Sequence, residues 1–278
     1  MLIPDPSYSN NFANIKIMGG IPVSVPLKEA NNFQFDIADM ESRVTEKTKM
    51  VLMTNPNNPT TTVFSRQKLE QLAEFVIKHD LVVVIDQVFE SSIFDDREFV
   101  SMAALPGMWE RCVTVFSTSK SMSLCGFRVA YNVACAEIMR VMHASAVYIL
   151  GATNTFAQAG ALAALRNDDF VEDYNRIFDL RRKAAYDTFN AIPGVHCLMP
   201  EATFLIWVNI SELGTSGEIA KLLREHAKVA ATTGSNYGKY GEGSLRFNIA
   251  QLDETKFEEV LEQISVTLTG YAREKGIL

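Results

Sequence analysis

Between Lys49 and Ser119 the hydrophobic period switches repeatedly, and that alternation leaves the chain few architectures. Met50-Val51-Leu52-Met53 is apolar at every position. Leu69, Leu72, Ala73, Val76 and Ile77 then recur at helical spacing, and Leu81-Val82-Val83-Val84-Ile85 is again apolar throughout. A strand that is apolar on both faces suits a parallel sheet covered by helices, and an intervening helix is the usual crossover between parallel neighbours. The expectation is an α/β fold with a mostly parallel sheet. Further strands are expected from Cys112 to Ser117, after the turn Leu105-Pro106-Gly107, and from Val129 to Ala134, soon after Gly126.

The texture changes at Asp168. From there to Ala191, Phe170, Tyr174, Ile177, Phe178, Leu180, Ala184 and Ala185 are set among acidic and basic residues, the pattern of a long amphipathic helix joining two domains. Beyond Pro193-Gly194, alternating strands near Phe204 to Val208 and Leu245 to Ile249 are separated by helical segments around Gly217 to His226. They predict a smaller α+β domain, with a final helix from Glu254 to about Leu268 packed on it. The domains are expected over residues 1–175 and 176–278.

Composition removes several function classes. The chain has 26 basic and 33 acidic residues, a net charge of −7, and no basic block to track a polyphosphate backbone, so nucleic acid is not an expected partner. The longest uncharged stretch, Val141 to Leu165, is interrupted by His143, Ser145, Thr153, Asn154, Thr155 and Gln158, which would be stranded in lipid. It is expected to be a buried helix pair, not a membrane span. Cys112, Cys125, Cys135 and Cys197 show neither metal-ligand spacing nor the density of a disulfide scaffold, and no signal peptide precedes them, which fits a reducing, cytoplasmic compartment. The histidines stand singly, and no metal site is expected.

In an open parallel sheet ligands bind beyond the carboxyl ends of the strands. The first strand is followed by Asn55-Pro56-Asn57-Asn58-Pro59-Thr60, the second by Asp86-Gln87-Val88-Phe89, and the third ends in Ser117-Thr118-Ser119-Lys120. An amide, a carboxylate, and an amine with hydroxyls therefore converge on one crevice. Singly, each has an ordinary explanation, since Asn-Pro is a turn former and a lysine behind a strand is commonly a surface cation. Together they make up the set that pyridoxal phosphate requires: an amine for its aldehyde, a carboxylate for its ring nitrogen and an anion site for its phosphate.

At these residues the sequence resembles the fold-type I pyridoxal-phosphate enzymes, specifically the class I/II aminotransferases. Ser117-Thr118-Ser119-Lys120 followed by Gly126-Phe127-Arg128 is similar to the family's Schiff-base lysine motif. The resemblance implies that Lys120 carries the cofactor, that Ser117 and Arg128 bind its phosphate, and that Ser119 is also among the cofactor-binding residues. By the same resemblance Asn58 hydrogen-bonds the phenolic oxygen, Asp86 holds the pyridine nitrogen, and Tyr8, in Pro6-Ser7-Tyr8 with Gly19-Gly20 downstream, stacks on the ring. Arg246, in Ser244-Leu245-Arg246-Phe247-Asn248, would grip the substrate α-carboxylate, a task suited to a planar guanidinium. Lys120 and Asp86 are the implied catalytic pair. The implied activity is amino-group transfer between an α-amino acid and a 2-oxo acid, at an active site formed in a homodimer.

The sequence departs from the family pattern in three places. Phe89 stands where a tyrosine usually offers the phenolic oxygen a second hydrogen bond. Thr61 stands where a glycine usually follows Asn-Pro-Thr, which leads us to expect a different turn. Met1 falls where the family is already deep in its large domain, so about a quarter of a typical member has no counterpart here, including a loop at a helix N-terminus that serves the phosphate. The expectation from that last departure is weak cofactor binding and little or no transaminase activity. Two alternatives stay open: another pyridoxal-phosphate reaction on an amino acid, such as a β-elimination or synthase step, and an inactive remnant.

Overall fold

The computed structural model describes residues 1–277. The chain opens with β1 (Leu2–Asp5), α1 (Ser9–Ile17), β2 (Val23–Pro26) and a short α2 (Ile37–Glu41). The expected strand, helix, strand unit follows as β3 (Met50–Thr54), α3 (Arg66–Lys78) and β4 (Val82–Asp86), and then β5 (Cys112–Ser117) and β6 (Ala130–Val133). These strands form a six-stranded sheet in the order β2-β1-β3-β4-β5-β6, parallel except for β6, which runs antiparallel to β5. The mostly parallel α/β expectation is met. β1 and β2 were not foreseen, because each has only four residues and carries a proline.

α3 shows how the sequence builds this layer. The Ser65 side chain accepts from Lys68 N and caps the helix, and Leu69, Leu72, Ala73, Phe75 and Val76 are buried along one stripe. That stripe shares a core with Val51, Met53, Val83 and Ile85 of the sheet. The opposite face differs from expectation: Met50, Leu52, Val82 and Val84 are only half-buried. They belong to a face that opens onto a concavity of about 750 Å³, lined also by Ile15, Met18 and Ile21.

The uncharged stretch folds as α4 (Ala136–Ile149) and α5 (Thr155–Arg166), so the helix pair forms. Its expected burial is corrected. α4 buries no residue and α5 only Ala161, while Tyr148 and Phe156 are each 90% exposed. A missing charge marks a segment for which water is a poor neighbour; it does not specify which layer covers it. Among the described residues no helix is long and apolar enough to cross a membrane.

α6 (Phe170–Asn190) runs unbroken from the first sheet to the second. The fully buried Arg182 on it donates to Asp179 Oδ1 (2.8 Å), Asp95 Oδ2 (3.0 Å) and the Pro200 carbonyl (2.7 Å), so this interior cation is paired. β7 (His196–Cys197), β8 (Leu205–Asn209), α7 (Ser216–Leu222), β9 (Thr232–Thr233), β10 (Ser244–Asn248) and α8 (Glu254–Glu274) complete the chain. The strands form an antiparallel sheet in the order β7-β8-β10-β9. α8 runs a turn and a half beyond the expected end near Leu268. It buries Phe257, Leu261, Ile264, Leu268 and Ala272 against Ile206, Val208, Leu245 and Phe247 of the small sheet.

Candidate active site

The register of the first sheet lines up its carboxyl ends. Thr54 of β3 lies opposite Asp86 of β4, and Asp86 opposite Val115 of β5. Whatever follows these strands is delivered to one rim. The loop after β3 is largely frame: Asn55 Oδ1 accepts from Phe64 N (2.9 Å), and Asn57 Nδ2 donates to Thr60 Oγ1 (2.7 Å). Glu201, just before β8, accepts from Val63 N (2.7 Å) and pairs with Arg97 (3.1 Å), which holds the loop from the other side. Asn58 is left to face the cavity, where its Oδ1 accepts from Arg246 Nη1 (3.1 Å). Thr61 is buried with φ of 64°, the left-handed conformation a glycine would take freely, so here a β-branched residue occupies it.

Asp86 closes β4, and its Oδ1 accepts from Val88 N (3.1 Å). Burial pushes its carboxyl up to about 6, against the backbone hydrogen bond and the positive charge of Lys120, which favour ionisation. Phe89 is buried beside it, with its ring 5.9 Å from Lys120 Nζ and edge-on to Phe204 at 5.4 Å.

β5 ends in Ser117, whose Oγ accepts from Ser119 N (3.1 Å) and donates to the Val129 carbonyl (3.4 Å). Thr118 also donates from Oγ1 to Val129 O (3.1 Å), so the start of β6 clamps the turn that presents Lys120. Arg128 has φ of 57°, is exposed, and donates from Nη1 to the Cys125 carbonyl (2.7 Å). Arg246 comes from the other sheet, opposite Trp207 in β8. Its guanidinium lies 5.1 Å from the Tyr237 ring centroid, and its enclosed Nε has no partner among the described residues. Tyr8 sits at the start of α1, 36% exposed, with its hydroxyl accepting from Asn10 Nδ2 (3.1 Å).

Tyr8, Asn58, Asp86, Ser117, Ser119, Lys120, Arg128 and Arg246 all line one cavity of about 370 Å³ between the two sheets. The structure therefore brings together every site residue singled out in the sequence. It adds Thr54, Val88, Cys125, Phe204, Leu205 and Asn248 to the wall. Thr54, Val88 and Asn248 follow from their places at or just beyond strand ends; nothing in the local sequence distinguishes Phe204 or Cys125. The donor set suits pyridoxal phosphate: an amine next to a carboxylate, hydroxyls and a guanidinium for a phosphate, an aromatic face, and an unsatisfied arginine N–H on the opposite wall.

Comparison with known proteins gives one answer. The sequence pattern of the family described as "Aminotransferase class I and II" matches residues 1–264. An aspartate aminotransferase from Pyrococcus abyssi is 36% identical over 272 residues, covering 96% of this chain and 69% of its own. An aromatic-amino-acid aminotransferase 2 from Thermococcus litoralis is 32% identical over 272 residues, again covering 96% and 69%. Among solved structures, that of an aromatic aminotransferase from Pyrococcus horikoshii superposes with a TM-score of 0.93 at 32% identity, covering 100% of this chain and 74% of its own.

Proposed function

The chain belongs to the class I and II aminotransferases, and on that premise we propose that it moves an amino group between an α-amino acid and a 2-oxo acid with pyridoxal phosphate. The observation that carries this reading is that Lys120 and Asp86 share a cavity with Arg246 on its opposite wall. When bound, the cofactor supplies an aldehyde that condenses with amines and a protonated ring that draws electrons from the substrate.

The chain's own residues supply the rest. Lys120 Nζ would hold the aldehyde carbon, and the same amine would carry the proton at the substrate's Cα. The Asp86 carboxylate keeps a proton on the ring nitrogen. Ser117, Ser119 and Arg128 would donate to the phosphate, and Arg128 would have to give up its bond to the Cys125 carbonyl to do so. Asn58 orients the phenolic oxygen and also fixes Arg246, whose free Nε and neighbouring N–H groups receive the substrate carboxylate. Tyr8 covers one ring face. Phe89 offers no hydrogen bond and closes the pocket by apolar contact with Phe204. We also propose a homodimer; the apolar side chains exposed on α4 and α5 support it, and sedimentation would test it.

The test is to load the chain with pyridoxal phosphate, reduce with borohydride and map the peptides. The pyridoxyl group is expected on Lys120, and turnover of an amino acid is expected to need a 2-oxo acid acceptor. Label on another lysine overturns the assignment, and product formed without acceptor overturns the transferase reading in favour of an elimination.

A further inference from the structure

Arg246 enters the cavity with little inside it to fix its aim. Among the described residues its guanidinium makes one hydrogen bond, from Nη1 to Asn58 Oδ1 (3.1 Å), and a single bond leaves the plane free to turn. That plane rests on the Tyr237 ring, 5.1 Å from its centroid. The ring is buried and stands edge-on to Trp207 at 5.7 Å. Tyr237 ends a short 3₁₀ turn, Gly234–Tyr237, and a second turn, Lys239–Gly241, follows Gly238. None of these turn residues lines the cavity.

The backbone of these turns is fastened by the end of β1, a strand of the other sheet. Ser7 N donates to the Tyr237 carbonyl (2.8 Å). Asp5, only 1% exposed, accepts from Tyr240 N at Oδ1 (3.1 Å) and from Lys239 N at Oδ2 (3.2 Å), and the Ser24 hydroxyl donates to Oδ2 (2.7 Å). Gly238 lies against the same carboxyl with φ of 125°, and a Cβ there would run into Asp5 Oδ1, so the close approach requires a glycine. All three partners donate. A buried carboxylate accepts such a set, whereas a carboxamide would turn one of its own donors against it. Asp5 does not line the cavity and has no part in the chemistry above.

We propose that Asp5 is a positioning residue for Arg246: it fixes the backbone from Tyr237 to Tyr240, so that the Tyr237 ring holds the guanidinium plane aimed at the substrate carboxylate. The inference rests on the reading that Arg246 receives that carboxylate. Four successive residues then serve both ends of the bound substrate, because Tyr8 faces the cavity while Asp5 braces the arginine on its far wall. The end of β1 thereby sets the spacing between the cofactor's ring and the substrate carboxylate, and a misplacement of the order of 1 Å in such a pair is costly. A carboxylate that merely stapled the two sheets together would act on stability and leave the arginine's plane where it is.

The test begins with the full chain free of cofactor, labelled with nitrogen-15. The Nε–H resonance of Arg246, assigned by its loss in Arg246→Lys, lies over the Tyr237 ring and is displaced by the ring current, and Tyr237→Leu gives its undisplaced position. Asp5→Asn should move the resonance towards that position. Ser24→Ala, which removes one of the three bonds to Asp5, should move it the same way by less, and it decides the matter if Asp5→Asn does not fold. An unmoved resonance in the folded variant overturns the proposal and leaves Asp5 a staple. In the chain loaded with pyridoxal phosphate, Asp5→Asn should raise KM for both the amino acid and the 2-oxo acid about tenfold, with kcat kept within about threefold. In an Arg246→Lys background the same substitution should raise KM no further. A loss confined to kcat, or rises that add in full, overturns the proposal. A chain that transfers no amino group breaks the transaminase reading and leaves the cofactor-free resonance to decide Asp5.

Discussion

The loop after β3 and the turns after β4 and β5 meet at the same cavity and bring different kinds of polar group to it. In the loop, Asn57 N–H donates to the Thr62 carbonyl (2.8 Å), Thr60 and Thr62 share a hydroxyl contact (3.1 Å), and Asn55 and Asn57 each commit one end of the amide, leaving the other end unpartnered. In the turns, the Asp86 carboxyl accepts one backbone bond, Glu90 keeps an oxygen bare, and Lys120 is exposed with no hydrogen bond to the described residues. The loop's amides and hydroxyls do not titrate, and the bonds they make fix its shape. The turns carry the ionisable groups, an acid raised by burial and an exposed amine, and those are the groups available to react. The first region is the frame, and the second is where the chemistry falls.

The sharpest way to break that comparison is Lys120→Ala. Amino transfer should vanish, because the other cations in the cavity, Arg128 and Arg246, are guanidiniums that stay protonated and cannot act as amines. Stability of the unloaded chain should move by no more than about 0.5 kcal/mol, as for a surface substitution. Denaturant titration beside a transamination assay checks both. Surviving turnover, or a large loss of stability, would erase the line between frame and reactive turn.

Asp86→Asn should separate function from stability with opposite signs. In the folded chain the Asp86 carboxyl is raised from 3.8 to about 6, so the fold prefers the protonated form, and ionisation costs stability progressively as pH rises through that window. Below about 3.8 the acid and the amide are both neutral, and the variant gains nothing. Above about 6 the amide avoids the buried charge, and the cofactor-free variant should be more stable by roughly 1–2 kcal/mol after allowing for partial solvent access. Turnover should fall by orders of magnitude, because an amide cannot hold the ring nitrogen's proton. Thermal unfolding at acid and at mildly alkaline pH decides it, and a variant less stable above pH 6 would mean that Asp86 belongs to the frame.

The parts legible in the sequence share a physical cause. Asp86, Ser117 and Lys120 stand at the ends of apolar runs, and a parallel sheet delivers such ends to one rim whatever the details of packing. Asn58 and Arg246 were legible through resemblance, since neither the turn nor the strand that carries them is unusual in itself. The exposure of α4 and the half-burial of Val82 and Val84 were not legible, because apolar character states a preference while burial depends on which other layers are present.

The smallest expected effect probes the frame itself, at Thr61. A β-branched residue with φ of 64° is strained by about 1–3 kcal/mol, and the surrounding network, including the Thr61 N–H that donates to Asn57 O (2.9 Å), holds it there. Thr61→Gly removes that strain. Against the gain stand the greater freedom of glycine in the unfolded chain, about 0.5–1 kcal/mol, and the loss of the buried Cβ and γ-methyl, about 0.8 kcal/mol each. The balance should be a gain of up to about 1 kcal/mol, read as a higher denaturant midpoint at unchanged slope. Thr61→Ala keeps a Cβ at positive φ but loses the branch, so its strain should lie between that of threonine and glycine. If Thr61→Gly instead destabilises by more than about 1 kcal/mol, the threonine side chain is a necessary part of the network. The loop would then hold an unfavourable conformation on purpose, and the line between frame and reactive turns would no longer hold.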